Sequence, residues 1–238
     1  MYNRLKVLTR FIFEYFYKKY NIISIMKYTY IPIGVNCHPA MNLNMLNLRK
    51  ISLPFDWLLI NSLNIFEYIN DLIRTDFINF TKKLEYNHRN KVISQYYPYT
   101  EFFHHDLIKN TSDKPEMNYS NTNNNLIDTM NRRGKRFMDI ITDEKLDVIF
   151  LNTMMYDVFK KLDHDKLYND MYQFENNCKI KCKFTILVYM MNDNNDFEMN
   201  IPPKYNNLKH FIFKKYLRNT KVSKYYGKLS DFRKILIT

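Results

Sequence analysis

The chain has 238 residues, enough for one large domain or two small ones, and its 46% apolar content is ordinary for a globular protein. Its three cysteines are odd in number and too few for a disulfide framework, which excludes the stapled secreted scaffolds and fits a reducing compartment. The net charge of +12 excludes an acidic, self-repelling surface and attracts nucleic acid, acidic proteins or anionic lipid. Tyr (20), Phe (18) and Met (13) are plentiful, whereas Gly occurs three times and Ala once, at Ala40. With abundant Asn, Ile and Lys, this reads as the codon bias of an AT-rich genome, such as a parasite, a bacterium or a large DNA virus, and carries no mechanism.

In chain order, residues 1–26 form a basic, apolar extension interrupted by Arg4, Arg10, Glu14, Lys18 and Lys19. No uninterrupted apolar run there reaches the length of a spanning helix, and no small-residue cleavage site follows an apolar core. The segment predicts an amphipathic helix that docks on the domain or touches a membrane surface through residues 1–25. No transmembrane segment is expected, and the protein is read as cytoplasmic (of a host, or carried in a virion, if viral) and not secreted. Residues 27–238 read as one domain with a basic C-terminal segment.

Tyr28–Val35 predicts a short strand, followed by the turn Ile33-Gly34-Val35-Asn36-Cys37-His38-Pro39. A helix is expected from Pro39 to about Arg49, with Met41, Met45 and Leu48 at helical spacing and Pro39 in a first turn where its missing N–H is no loss. A thiol on such a turn faces unpaired N–H groups and the positive end of the helix dipole, and both favour the nucleophilic thiolate. Ser52–Trp57 breaks the pattern and holds the single Trp. Asn61 or Ser62 can cap the next helix, which carries Ile65, Tyr68, Ile69, Leu72 and Ile73 on one face. Residues 92–105 read as extended, with Pro98 at an edge or turn, and 109–125 as a loop. A helix over Asn123–Thr142, a strand over Leu146–Leu151, a helix over 156–176 and strands over Phe184–Met190 and Leu208–Phe213 complete the series.

Alternating strands and helices predict an α/β fold: a single domain with a mostly parallel central sheet flanked by helices, and Cys37 at a strand-to-helix turn. Ligands bind beyond the carboxyl ends of strands in such sheets, and four polar positions fall there: Cys37, His104/His105, Asn152 and Asp193.

Gly34-Val35-Asn36-Cys37, followed by Leu46-Asn47-Leu48-Arg49 and Ser52-Leu53-Pro54-Phe55-Asp56-Trp57, resembles the opening of the putative papain-like cysteine peptidase family of bacteria and large DNA viruses. Phe103-His104-His105-Asp106 and Arg132-Arg133-x-x-Arg136-Phe137 are similar to its later pattern, over roughly residues 28–215. The resemblance implies a thiol hydrolase acting on a peptide or protein substrate. It also implies a fold with Cys on a long helix and His on an antiparallel sheet, which competes with the alternation just described; the alternation carries the architecture here.

A nucleophilic Cys needs a His to take its proton and return it to the leaving group. The expected catalytic set is Cys37 with His105 as base, His104 as the other candidate and Asp106 or Asp56 orienting the ring. In an extended segment His104 and His105 point to opposite faces, so only one can meet the thiol. Asp56 has a structural alternative, capping the turn near Trp57. Asn36 or Asn152 can stabilise an oxyanion, and Arg132, Arg133 and Arg136 can grip an acidic group or serve as a solvated face. Adjacent histidines seldom share one ion, no H-E-x-x-H spacing occurs, and Cys178/Cys182 lack a second ligand pair, so no metal and no cofactor is expected. Two further readings compete: a non-catalytic α/β binding or host-interaction module that retains the pocket, and a nucleic-acid-associated protein using residues 204–238, where ten Lys or Arg stand against Asp231 among interleaved aromatics.

Overall fold

The structure is a computed structural model and describes residues 27–60, 64–102, 124–178, 184–193, 196–218 and 228–236. The expected N-terminal extension, the caps Asn61 and Ser62, the loop 109–123, Cys182 and the group His104, His105 and Asp106 lie outside the described residues. In chain order the strands are β1 (Thr29–Pro32), β2 (Leu59–Ile60), β3 (Leu84–Tyr86), β4 (Val92–Ser94), β5 (Tyr97–Glu101), β6 (Val148–Met155), β7 (Phe184–Asp193) and β8 (Phe211–Arg218). The helices are α1 (His38–Met45), α2 (Ile65–Arg74), α3 (Asn124–Thr142), α4 (Tyr156–Phe159), α5 (His164–Asn177) and α6 (Leu229–Leu236).

The central sheet has the order β1-β6-β7-β8, and every pairing in it is parallel. Its inner strands carry apolar side chains on both faces, as a parallel sheet covered by helices on both sides requires. Val148, Phe150 and Met154 of β6, with Ile186, Val188 and Met190 of β7, join the larger core with Phe66, Tyr68 and Ile69 of α2, Met130 and Phe137 of α3, and Met171 and Phe174 of α5. The intervening residues Ile149, Leu151, Leu187, Tyr189 and Met191 pack on the other face against Leu43 of α1 and Phe232, Ile235 and Leu236 of α6.

A second, antiparallel sheet of order β2-β5-β4-β3 stands beside the first. The stretch 92–105 therefore holds two paired strands, with Pro98 exposed in β5. An α/β fold and an antiparallel sheet are thus both present among the described residues.

Several boundaries differ from the periodicity, each for a local reason. α1 ends early because Asn47 takes a left-handed conformation, φ 56°. Its N–H donates to Asn44 O at 3.0 Å and that of Leu48 to Leu43 O at 2.9 Å, a Schellman turn sealed by the buried Leu43–Leu48 pair. Leu43 faces the core, while Met45 is 50% exposed. The cap of α2 is Asn64, whose Oδ1 accepts from Phe66 N at 3.2 Å and Glu67 N at 3.5 Å. The stretch 156–176 is broken between α4 and α5, where Asp163 Oδ1 caps the second helix through Asp165 N and Lys166 N. β6 and β7 run past Leu151 and Met190, which puts Asn152 inside a strand instead of at its end. β8 starts at Phe211, after a 3-10 turn over Pro203–Asn207. No helix among the described residues is long and apolar enough to cross a membrane.

Candidate functional site

The turn after β1 is fixed from three sides. Ile33 N donates to Leu151 O at 2.8 Å, extending the β1–β6 contact, and Ile60 N donates to Val35 O at 2.8 Å, tying the turn to β2. Gly34 lies flat on β6: a Cβ there would meet Pro39 Cγ at 2.8 Å and Thr153 Cγ2 at 3.1 Å. Asn36 Oδ1 then accepts from His38 N at 3.0 Å, and Cys37, at φ −72° and ψ −3°, is the N-cap residue of α1, with its carbonyl accepting from Met41 N at 2.9 Å.

Cys37 is half-buried. Burial pushes its thiol above the ordinary value, and its own backbone N–H only partly opposes the rise. Burial thus opposes the thiolate that the helix start is expected to favour. The His38 N–H is also already taken by Asn36 and Pro39 has none, so two first-turn positions of α1 offer a thiolate nothing.

Beside Cys37 lies a buried polar cluster. His38, 4% exposed, turns into the smaller core, where its ring meets Tyr189 and Tyr216 at 5.8 Å each and Phe232 edge-on at 6.0 Å. Its Nδ1 is 2.9 Å from the Tyr189 hydroxyl, and Asn42 Nδ2 lies 3.2 Å from its Nε2 and 3.4 Å from its Nδ1. Asn42 Oδ1 and Thr153 Oγ1 are buried without a hydrogen-bond partner of good geometry. Tyr189 is pushed well above its ordinary value, chiefly by burial; Thr153 opposes the rise, and negative charge on Tyr216 or Cys37 adds to it.

The other expected site residues divide. Asp56 is fully buried on the 3-10 turn Pro54–Trp57 and belongs to an Arg clamp. Its Oδ2 accepts from Arg49 Nε at 2.9 Å and from Leu53 N at 2.9 Å, while Arg49 also donates to Ser52 Oγ and lies 5.4 Å over the Trp57 ring. Burial pushes the Asp56 carboxyl up, and the Leu53 N–H, Arg49 and Arg133 pull it back. Arg133 approaches this clamp from α3, half-buried and with Nη1 unpartnered, whereas Arg132 and Arg136 are exposed, so the Arg stripe is split. Burial, with the positive charges of Arg49, Arg132 and Arg136, lowers Arg133, and Asp56 acts against this.

Asn152 Nδ2 donates to Ile33 O at 3.0 Å, so this amide stitches β6 to the end of β1 and leaves Oδ1 unpartnered. Asp193 closes β7. Among the described residues no three His, Cys, Asp or Glu side chains gather to hold a metal ion. Sequence reasoning passed over His38, Tyr189, Thr153 and Arg49 as site residues. Only Arg49 carried a signal, since it stands in the same short block as Asp56 and Trp57.

A family model described as putative papain-like cysteine peptidase (DUF1796) matches residues 28–194. No curated protein and no solved structure matches the chain. The match covers most of the sequence and includes Cys37, the Arg49–Asp56 clamp, His105 and Tyr189, and the chain belongs to this family.

Proposed function

From that membership we propose that the protein is a cysteine hydrolase that cleaves a peptide, isopeptide or related acyl bond, with Cys37 as nucleophile and His105 as acid and base. The observation that carries this reading is the placement of Cys37 as N-cap of α1, on a turn pinned to β1, β2 and β6 within the matched region. A supporting relation concerns reach. Val35 bonds Ile60, and Ile60 pairs with Thr100 of β5. Two strand spacings, about 10 Å, therefore separate the Cys37 turn from a residue five positions before His105, a gap that a few extended residues span at roughly 3.3 Å each.

Burial disfavours the thiolate, so in this reading the base acts during the reaction. The His105 imidazole takes the Cys37 proton as sulfur attacks the acyl carbon. Collapse of the tetrahedral intermediate breaks the acyl–nitrogen bond, and the imidazolium returns the proton to the leaving amine. Water, deprotonated by the same imidazole, then hydrolyses the thioester and restores the thiol. The Nδ2 of Asn36 is the proposed oxyanion donor, since its Oδ1 already accepts from His38 N. Asp106 orients the imidazole, and Arg132 and Arg136 face an acidic substrate group.

Labelling by an acyl-directed thiol probe tests the reading. Labelling of the folded protein is expected, abolished in Cys37→Ala and reduced at least 100-fold in His105→Ala. Unchanged labelling in either variant would sink it, and a protein that folds but never labels would favour the non-catalytic binding module.

A further inference from the structure

Four rings, one from each of four elements, close on one another at the residue that follows Cys37. His38 opens α1, Tyr189 lies in β7, Tyr216 in β8 and Phe232 in α6. Every ring meets the other three. His38 stands 5.8 Å from Tyr189 and from Tyr216 and 6.0 Å from Phe232. Tyr189 is 5.7 Å from Tyr216 and 5.5 Å from Phe232, and Tyr216 is 6.1 Å from Phe232. Tyr216 and Phe232 lie beyond residues 28–194, the stretch that matches the family. We propose that α6 is a strap on the Cys37 helix: docked, it holds the first turn of α1 closed, and its local release opens that turn and frees Cys37 to react. As regulation of the site this rests on Cys37 being the nucleophile; the coupling of α6 to α1 does not.

The helix that carries Cys37 cannot hold itself. Eight residues are too few for a stable helix in water, and His38, Asn42 and Asn44 are weak helix formers. Its buried residues are His38, Pro39, Ala40, Asn42 and Leu43, among which Leu43 alone is a large aliphatic. Packing must supply the rest. α1 rests on β1 and β6, while α6 rests on β8 and against α1. α6 docks through Phe232, Ile235 and Leu236, at i, i+3 and i+4. Phe232 meets the first turn of α1 at His38, and Ile235 and Leu236 share a cluster with Leu43 and Leu48, which seal its end. Among the described residues these two helices of eight cover one face of the parallel sheet, whereas α2, α3 and α5, of 10, 19 and 14 residues, cover the other. The thinner cover has fewer buried contacts to lose and opens first.

Two measurements on the full chain test this. By native-state hydrogen exchange of the unaltered protein, the amides of α1 and α6 should exchange together, about tenfold or more faster than those of β6 and β7. Alkylation of Cys37 by iodoacetamide, followed against pH and read on the Cys37 peptide by mass spectrometry, gives a midpoint and a limiting rate. In Phe232→Ala the limiting rate and the exchange of α1 should both rise about tenfold or more. Phe174→Ala removes a buried ring from the opposite face and should leave the limiting rate within about twofold. Exchange of α1 in step with β6 and β7, release of α6 without α1, an unchanged rate in folded Phe232→Ala, or an equal rise in Phe174→Ala overturns the proposal. Should Phe232→Ala not fold, exchange in the unaltered chain decides. The outcomes separate from the hydrolase reading: joint release of α1 and α6 in a protein that cleaves nothing keeps the strap and sinks the hydrolase, whereas cleavage without joint release does the reverse.

Discussion

Two buried polar clusters grow from the single block Gly34–Trp57, and they are built from different kinds of group. The clamp of Arg49, Asp56 and Trp57 is charged: a guanidinium 14% exposed meets a fully buried carboxylate, with the indole beneath. The cluster of His38, Asn42 and Tyr189 contains no carboxylate and is held by hydrogen bonds among three aromatic rings. The clamp folds the chain after α1 back on itself and needs only to stay formed. The second cluster follows Cys37 directly in the chain, through His38. The contrast assigns shape to the first cluster and leaves the second next to the candidate nucleophile.

The sharpest way to break this division is at the clamp. Arg49→Met removes the cation and leaves the Asp56 carboxylate buried beside Leu53 N and the more distant Arg133. Stripping one partner from a buried pair costs about 3–5 kcal/mol, so chemical denaturation should show a loss of that size, with Arg49→Met/Asp56→Asn recovering part of it. The Cys37 alkylation midpoint should stay within a few tenths of a pH unit in the Arg49→Met protein that remains folded. A larger shift would show that the clamp also governs the thiol and would erase the distinction.

A smaller effect is expected at Gly34, where the two clusters share a backbone. The added methyl of Gly34→Ala would fall 2.8 Å from a rigid proline ring and 3.1 Å from Thr153 Cγ2. Relief by a backbone shift costs about 1–3 kcal/mol. The turn moves with it, so both the melting temperature and the alkylation rate at fixed pH should fall. Gly134→Ala presses on the Phe77 ring at 2.9 Å, far along the chain from the turn, and should lower stability alone. Loss of thiol reactivity in both variants would mean that global loosening, not the turn, controls the sulfur.

The parallel sheet was legible in the sequence because its strands are continuous apolar runs, which only burial on both faces explains; Val148–Leu151 and Phe184–Met190 are of this kind. The antiparallel sheet was not. β3 and β4 are three residues each, too short for alternation to register, and their hairpin turns on Asn87–Lys91, whose Asn87 Oδ1 accepts from two backbone N–H groups. The turn carrying Cys37 was legible from Gly34 and Pro39. Its chemistry was not, because helix-end reasoning counts N–H groups without knowing that Asn36 occupies one of them. The pairing of His38 with Tyr189 spans 151 positions and rests on a fold-level register, so no local pattern contains it.

The smallest effect is the linkage of stability to Cys37 ionisation, and its sign follows from burial. A thiol whose folded value lies above its ordinary one binds its proton more tightly when folded. Its contribution is therefore complete below the ordinary thiol value and is lost as pH rises through the folded one. The melting temperature should decline in alkali, and Cys37→Ala should remove only a small part of that decline. Cys178, more deeply buried, and the buried tyrosines, Tyr68 and Tyr189 above all, shift in the same direction and supply most of it. Alkylation isolates the Cys37 share: its midpoint in the unaltered protein should lie above that of a free thiol. A midpoint below that value would mean that the positive end of α1 outweighs burial after all. The proposed base would then have no proton to take from the sulfur, because a standing thiolate needs no base to form it.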